Sequence, residues 1–355
     1  MIKVKKEVLF ESQRDGYSIN RVPGVIHTLS GVAVLHCESR KGSGGDWDPM
    51  DIRMRRSCDG CKTWEEPRIV VDHQNFGTTI NNFILIPDCN TGRVCALFCV
   101  DYARAFRMFS DDDCLTFSEP EDITNVFDGF RGEYDFKVIA IGPGHGIQLK
   151  RGRMIAPIWV SPGTSPGGHR PNRCGAIYSD DGGENWIAGE LVPDTLPCCN
   201  ESEAVELSDG QVMMIIRTYD LGDGVSDVDH CYKAKSYSPD GAGGWSEPLL
   251  DKELPDPICF SSVCRLDDDT LVFSNCACHE VEITNWARDR KNLTVKVSRD
   301  EGNSWTELLV LEPEIAGYSD LCVIDDGHVL CVYEKGMYGE NMCKNSSLIV
   351  ASFRI

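Results

Sequence analysis

Short apolar runs separated by turn residues set the pattern of this chain. Val32-Ala33-Val34-Leu35, Gly92-Arg93-Val94-Cys95-Ala96-Leu97-Phe98 and Asp269-Thr270-Leu271-Val272-Phe273 have strand length and composition, and similar runs recur between Gly- and Pro-bearing turns. No stretch sustains a helical period of about 3.6 residues. The ends, Ile2-Lys3-Val4 and Ser347-Leu348-Ile349-Val350-Ala351-Ser352-Phe353, are strand-like too. Pairing them would close a ring of sheets and leave no free edge. The pattern predicts an all-β chain.

Five copies of one turn divide it. They read Ser57-Cys58-Asp59-Gly60-Cys61-Lys62-Thr63-Trp64, Ser110-Asp111-Asp112-Asp113-Cys114-Leu115-Thr116-Phe117, Ser179-Asp180-Asp181-Gly182-Gly183-Glu184-Asn185-Trp186, Ser238-Pro239-Asp240-Gly241-Ala242-Gly243-Gly244-Trp245 and Ser298-Arg299-Asp300-Glu301-Gly302-Asn303-Ser304-Trp305. The serines stand 53, 69, 59 and 60 residues apart, the length of a four-stranded sheet with its turns, and six such units would consume the 355 residues. In a tight turn the aspartate accepts hydrogen bonds from turn amides, a small residue takes the awkward backbone angle, and the aromatic re-enters the sheet to pack between blades. The expected fold is a six-bladed β-propeller of four-stranded antiparallel blades, residues 1–355 forming one domain with no linker-like segment.

A net charge of −21 speaks against nucleic acid or an anionic membrane surface as a partner. There is no apolar run of about 18 residues, and Met1-Ile2-Lys3-Val4-Lys5-Lys6-Glu7 enters strand sequence without the apolar core of a signal peptide, so no membrane insertion and a cytoplasmic location are expected. The 18 cysteines are scattered through apolar strands, as at Cys95, Cys99, Cys322 and Cys331, and read mostly as small buried hydrophobes in a reducing compartment. Cys58-x-x-Cys61 and Cys276-x-Cys278-His279 lack partner pairs at zinc spacing, so neither a metal nor another cofactor is expected. Asn200, Asn292 and Asn345 begin glycosylation sequons that matter only in a secretory pathway.

The repeats resemble the Asp boxes of sialidases, and further segments resemble that family in its own order from Arg21 to Glu334. In sialidases the boxes sit at blade turns far from the active site. Asn20-Arg21-Val22-Pro23 is similar to the family's aromatic-Arg-Ile-Pro motif, with Asn for the aromatic and Val for Ile; the resemblance implies that Arg21 is one of three arginines binding the carboxylate of sialic acid. The glycine-rich loop Arg40-Lys41-Gly42-Ser43-Gly44-Gly45-Asp46-Trp47-Asp48 resembles the one carrying the acid/base aspartate, which implies Asp46, with Asp48 as the alternative, and places Arg40 beside it as a further pocket arginine. Asn200-Glu201-Ser202-Glu203-Ala204-Val205-Glu206-Leu207-Ser208-Asp209-Gly210, followed by Arg217, resembles the segment of the general base and the second arginine; strand alternation alone puts Glu201, Glu203 and Val205 on one face without choosing among them, and the resemblance implies Glu201 as the base and Arg217 as the second carboxylate-binding arginine. Arg290-Lys291-Asn292-Leu293-Thr294-Val295 implies Arg290 as the third arginine, with Arg288 the competitor. Tyr318-Ser319-Asp320-Leu321 implies Tyr318 as nucleophile, and Tyr333-Glu334 implies that Glu334 holds Arg21.

The expected function is thus a retaining exo-α-sialidase acting on sialylated glycans or sialosides, with Asp46, Glu201 and Tyr318 as its chemistry. A propeller that binds sialic acid without catalysis, an enzyme acting on a related nine-carbon keto acid, and one acting by transfer are the alternatives. Oligomeric state has no sequence signal.

Overall fold

The computed structural model describes residues 2–163, 171–218, 232–278, 290–337 and 344–355, and the backbone alone of the short strands Ile283–Thr284 and Ala287–Arg288. The apolar runs fold as antiparallel meanders in which each strand pairs with the next. The first is Ile19–His27, Ala33–Arg40, Met50–Ser57 and Arg68–Val71; the second Ile80–Pro87, Val94–Val100, Arg104–Ser110 and Glu121–Asp122. The third, Val138–Ile141, Met154–Ser161, Arg173–Ser179 and Ile187–Leu191, carries Ile147–Gln148 as an added strand, and the fourth is Ser202–Glu206, Val212–Ile216, Tyr232–Ser238 and Leu249–Pro255. The first strands of most neighbouring sheets contact one another, and the first strand of the fourth meets Met154–Ser161 of the third, which arranges the sheets as a propeller with the first strands innermost.

The sequence predicts six separate four-stranded blades, and the hydrogen-bonded sheets differ. Among the described residues there are five sheets of four or more strands and one of two. The last large sheet has seven strands because Thr306–Asp325 runs unbroken for 20 residues. Its first half pairs with Lys291–Ser298 and its second with His328–Lys335, so two meanders share one strand. The final position is filled by the N-terminal strand Val4–Glu11, which pairs antiparallel with Ser347–Arg354 and closes the ring.

Apolar side chains fill the gaps between sheets. Ile84, Leu97, Ile139, Ile158 and Trp186 form one such layer with Phe127 and Phe130 of the short helix Thr124–Phe130. Sixteen cysteines are described as free thiols, most of them buried in these layers. Among the described residues, no helix is long and apolar enough to cross a membrane.

The repeated turns close the third strand of each of five meanders. In the third box Ser179 Oγ donates to Asp181 Oδ1 (2.7 Å) and accepts from the Gly183 N–H (2.9 Å), while Asp181 accepts from the Asn185 N–H (2.8 Å) and Asn185 Nδ2 (2.7 Å). The boxes at Ser57, Ser110 and Ser298 repeat this scheme. At Ser238, Asp240 takes the Ala242 and Gly243 N–H groups and Arg153 instead. Trp186, Trp245 and Trp305 are buried behind their turns; Trp64 and Phe117 are half-buried. Each box therefore satisfies turn amides with a carboxylate and anchors the strand ends with an aromatic.

These carboxylates make stability depend on acid. Partial burial opposes the charge of Asp112, Asp181 and Asp240, but the accepted hydrogen bonds outweigh it; at Asp59 and Asp300 the Thr63 and Ser304 hydroxyls contribute most, and all five sit below the ordinary aspartate range. A depressed folded-state pKa contributes stability that is fully present above the unfolded value of about 3.9 and is lost as pH falls through the folded value. The thermal midpoint should hold near neutrality and drop below about pH 4, with a shallower drop in Asp181→Ala, which should also cost about 1–2 kcal/mol at neutral pH through its lost turn bonds. Calorimetry across that range checks both; an acid-insensitive midpoint would contradict this role for the boxes.

Candidate active site

In an up-and-down meander the first and third strands run the same way, so the start of the first lies at the opposite rim from the end of the third. The boxes end third strands. Arg21 opens the strand Ile19–His27, Glu201 immediately precedes Ser202–Glu206, and Arg290 immediately precedes Lys291–Ser298; Arg40 and Arg217 close second strands, or nearly so, and Glu334 stands near the end of His328–Lys335. Topology alone therefore brings these residues to one rim and sends the boxes to the other.

The centre of that rim is Tyr318, 6% exposed. Its Oη donates to Glu201 Oε1 at 2.6 Å and accepts from Arg217 Nη1 at 2.5 Å, and the same Nη1 reaches Glu201 Oε2 at 2.5 Å. Three guanidinium carbons face the ring, those of Arg21, Arg290 and Arg217 lying 5.1, 5.3 and 6.0 Å from its centroid. Phe260 packs against it at 5.6 Å between ring centroids. Burial pushes the phenol well above its ordinary pKa; Arg217 works against that and Glu201 adds to it. Burial likewise disfavours the Arg217 charge, yet Glu201 and then Tyr318 outweigh it and raise its pKa.

Carboxylates hold the arginines. Glu334 takes Arg21 Nε at 3.0 Å and Nη2 at 3.3 Å, and also the backbone N–H groups of Val22 (3.0 Å) and Tyr318 (3.2 Å). Val22 needs this support, because a β-branched residue at φ 52° is strained, and it sits at the bulge where the pairing register shifts between Arg21 and Gly24. Arg290, 3% exposed, donates from Nη2 to the Ile258 carbonyl at 2.5 Å, and Ile258 is itself at φ 59°. Of the three arginines near the ring, Arg290 thus bonds a left-handed residue and Arg21 is followed by one.

Arg40 belongs to a second group on the same rim. Buried, it pairs with Glu38 at 2.6 Å and with Asp46 at 2.5 Å, while the Asp46 side chain stays 43% exposed. Asp48 turns back into its own loop, accepting Ser43 Oγ at 2.6 Å and the Gly45 N–H at 2.9 Å, and these bonds outweigh its partial burial to hold its pKa low. Of the two aspartates, Asp46 is the one joined to Arg40. Tyr102 lies between the groups: burial raises its pKa well above the ordinary value, and Asp46, Glu38 and Glu201 all add to that while Arg40 opposes it. Trp47 and Trp159 pack on Tyr102 at 4.7 and 6.1 Å.

All eight expected side chains lie at this rim, whereas the side chain of Arg288 falls outside the described residues. Sequence reasoning missed Glu38, Tyr102, Val22 and Ile258. Glu38 had a signal, standing two residues before Arg40 and so on the same strand face. Among the described residues, two clusters have the donor composition of a cation site, Asp51–Asp72–His73 and His145–Glu203–Asp320. In each a histidine Nδ1 lies at hydrogen-bond distance from a carboxylate, 2.6 Å to Asp51 and 2.9 Å to Asp320, so the ring and the carboxylate satisfy each other within the cluster.

An all-β propeller with boxed turns at one rim and a tyrosine–glutamate pair framed by arginines at the other defines a class of protein. Residues 39–331 match the family described as BNR repeat-like domain. The chain belongs to that family and is a sialidase-family protein with BNR repeats. It is 25% identical over 361 residues to a sialidase of Bacteroides fragilis (strain YCH46), covering 91% of this chain and 61% of that one, so it spans about three-fifths of that relative's length. Among solved structures, the Hadza microbial sialidase Hz136 superposes with a TM-score of 0.77 at 22% identity, covering 99% of this chain and 68% of the other. The intramolecular trans-sialidase from Ruminococcus gnavus in complex with oseltamivir carboxylate superposes with a TM-score of 0.73 at 16% identity, covering 98% and 97%. These structural likenesses establish the shared fold.

The Tyr318 environment is testable without any substrate. In an ultraviolet pH titration, the difference between wild type and Tyr318→Phe should show no phenolate near pH 10, the ordinary tyrosine value of about 10. Glu201→Gln should lower the Tyr318 transition, since it removes a carboxylate that raises it. A Tyr318 transition at the ordinary value, or one insensitive to Glu201→Gln, would contradict this geometry.

Proposed function

We propose that this chain is a retaining exo-α-sialidase, one catalytic propeller across residues 1–355, that releases terminal sialic acid from glycoconjugates through a covalent tyrosyl intermediate. The observation that carries the reading is the Tyr318 Oη to Glu201 Oε1 hydrogen bond of 2.6 Å inside a frame of three arginines.

Sialic acid bears its carboxylate on the anomeric carbon. Arg21, Arg217 and Arg290 would clamp it by charge-assisted hydrogen bonds. An anionic nucleophile would be forced against that carboxylate as it attacked, and a phenol kept neutral by burial avoids the repulsion; sialidases with a tyrosine nucleophile are the known exception to the two-carboxylate rule. As Tyr318 Oη forms its bond to the anomeric carbon, its proton passes to Glu201, the glycosidic C–O bond breaks, and Asp46 protonates the leaving oxygen. In the second displacement Asp46 takes a proton from water, the water oxygen bonds to the anomeric carbon, and the phenol oxygen leaves and recovers its proton from Glu201. Two inversions at one centre give retention. The overall charge of −21 opposes an anionic sugar, so the arginine field at the rim must dominate locally.

A fluorinated sialosyl donor that forms the intermediate quickly and hydrolyses it slowly should leave a covalent sugar on the enzyme. Proteolysis and mass spectrometry should place that mass on the Tyr318 peptide, and Tyr318→Phe should abolish it. Reversible binding with no adduct under any condition would favour a binding module instead, and a label on Glu201 or Asp46 would overturn the mechanism while keeping an enzyme.

A further inference from the structure

Beneath the Tyr318–Glu201 pair lies a second ionisable layer for which the proposed reaction has no use. Asp320 stands two residues beyond Tyr318 and Glu203 two beyond Glu201, and both are 0% exposed. Between them projects His145, from the loop linking the first strands of the third sheet. Its Nδ1 lies 2.9 Å from Asp320 Oδ1 and 3.7 Å from Glu203 Oε2, and its backbone N–H reaches Glu203 Oε2 at 3.5 Å.

Asp320 also accepts Ser262 Oγ at 2.8 Å and the Val25 N–H at 2.8 Å. One imidazole–carboxylate node therefore touches the strands that carry Arg21, Glu201 and Tyr318, and a fourth through Ser262. The approach is built into the backbone. Gly144 has φ 84°, and a Cβ there would fall 2.4 Å from Glu203 Oε2 and 2.7 Å from Phe260, the ring that packs on Tyr318, so only glycine lets this loop come so close.

Burial opposes a charge on His145, but Asp320 and then Glu203 outweigh it and push its pKa up to about 10. Glu203 is raised well above the carboxylate range by burial, with His145 opposing. The neighbouring His36 is kept neutral, its pKa lowered to about 3 mainly by burial. Stability does not require such a group, since apolar residues of similar volume often replace a buried ion pair without loss. Apolar contacts are non-directional and let strands slide by fractions of an ångström; the ring's hydrogen bond to Asp320, with the His145 backbone N–H on Glu203, fixes direction as well as distance.

We propose that His145 is a positioning residue which, by bridging Asp320 and Glu203, fixes the strand bearing Tyr318 against the strand bearing Glu201 and so sets the spacing of the nucleophile and its base. This rests on the reading of Tyr318 and Glu201 as that pair. Misplacement of reacting groups by about 1 Å can cost on the order of 100-fold in rate.

The test compares wild type, His145→Leu and the double variant His145→Leu/Asp320→Asn, which also removes the carboxylate left unpaired. Thermal midpoint, kcat and KM on an aryl sialoside are measured, and the double variant is crystallised. His145→Leu should lose about 10–100-fold in kcat with KM changed less than about 3-fold. The double variant should regain most of the midpoint while kcat stays low, and its Tyr318 Oη should stand outside hydrogen-bond range of Glu201. Unchanged kcat in His145→Leu, recovery of kcat together with the midpoint, or an intact Tyr318–Glu201 hydrogen bond in the double variant would each overturn the proposal. A wild type that turns over no sialoside would instead remove the parent reading, and the crystal structure would still report whether His145 sets the spacing.

Discussion

Everything at the Tyr318 rim depends on holding three guanidinium groups around one buried phenol. Arg21, Arg217 and Arg290 crowd the Tyr318 ring within 6.0 Å of its centroid, and like charges so placed persist only where each has its own partner. Glu334 holds Arg21, Glu201 holds Arg217, and a strained carbonyl at Ile258 takes Arg290. The cost appears in the backbone, where Val22 and Ile258 adopt left-handed angles unfavourable to β-branched residues. Each partner also does a second job, since Glu334 fixes the Val22 and Tyr318 amides and Glu201 faces the Tyr318 hydroxyl.

That crowding is tolerable because stability comes from elsewhere. The boxes tie off third strands at the opposite rim, with aspartates that satisfy turn amides and aromatics that pack between sheets. The N-terminal strand seals the ring against the C-terminal one. A scaffold stabilised at one end can carry strained backbone and concentrated charge at the other.

The two ends were not equally legible in the sequence. The boxes announce themselves because their chemistry is local: serine, aspartate and aromatic lie within eight residues. The rim residues are hundreds of positions apart, as with Arg21 and Glu334, and only resemblance to a family joined them before the topology did. The repeats predict equal blades where the structure has a shared 20-residue strand, because an extended chain can pass from one sheet to the next without any turn residue to mark it. The fold of the 41–49 loop settles which aspartate meets Arg40, a matter of Ser43 and Gly45 bonding to Asp48 that spacing could not show. His145, Glu203 and Asp320 left no trace as a group, since three different sheets supply them.

The role proposed for the arginine frame is to receive a carboxylate directly over Tyr318. The most direct measurement is a crystal structure with the unsaturated 2,3-didehydro analogue of sialic acid. Its carboxylate oxygens should lie within hydrogen-bond range of Arg21, Arg217 and Arg290, its anomeric carbon above Tyr318 Oη, and Asp46 rather than Asp48 on the side of the departing oxygen. A carboxylate seated away from these arginines, or a ligand bound at the rim that carries the boxes, would contradict it.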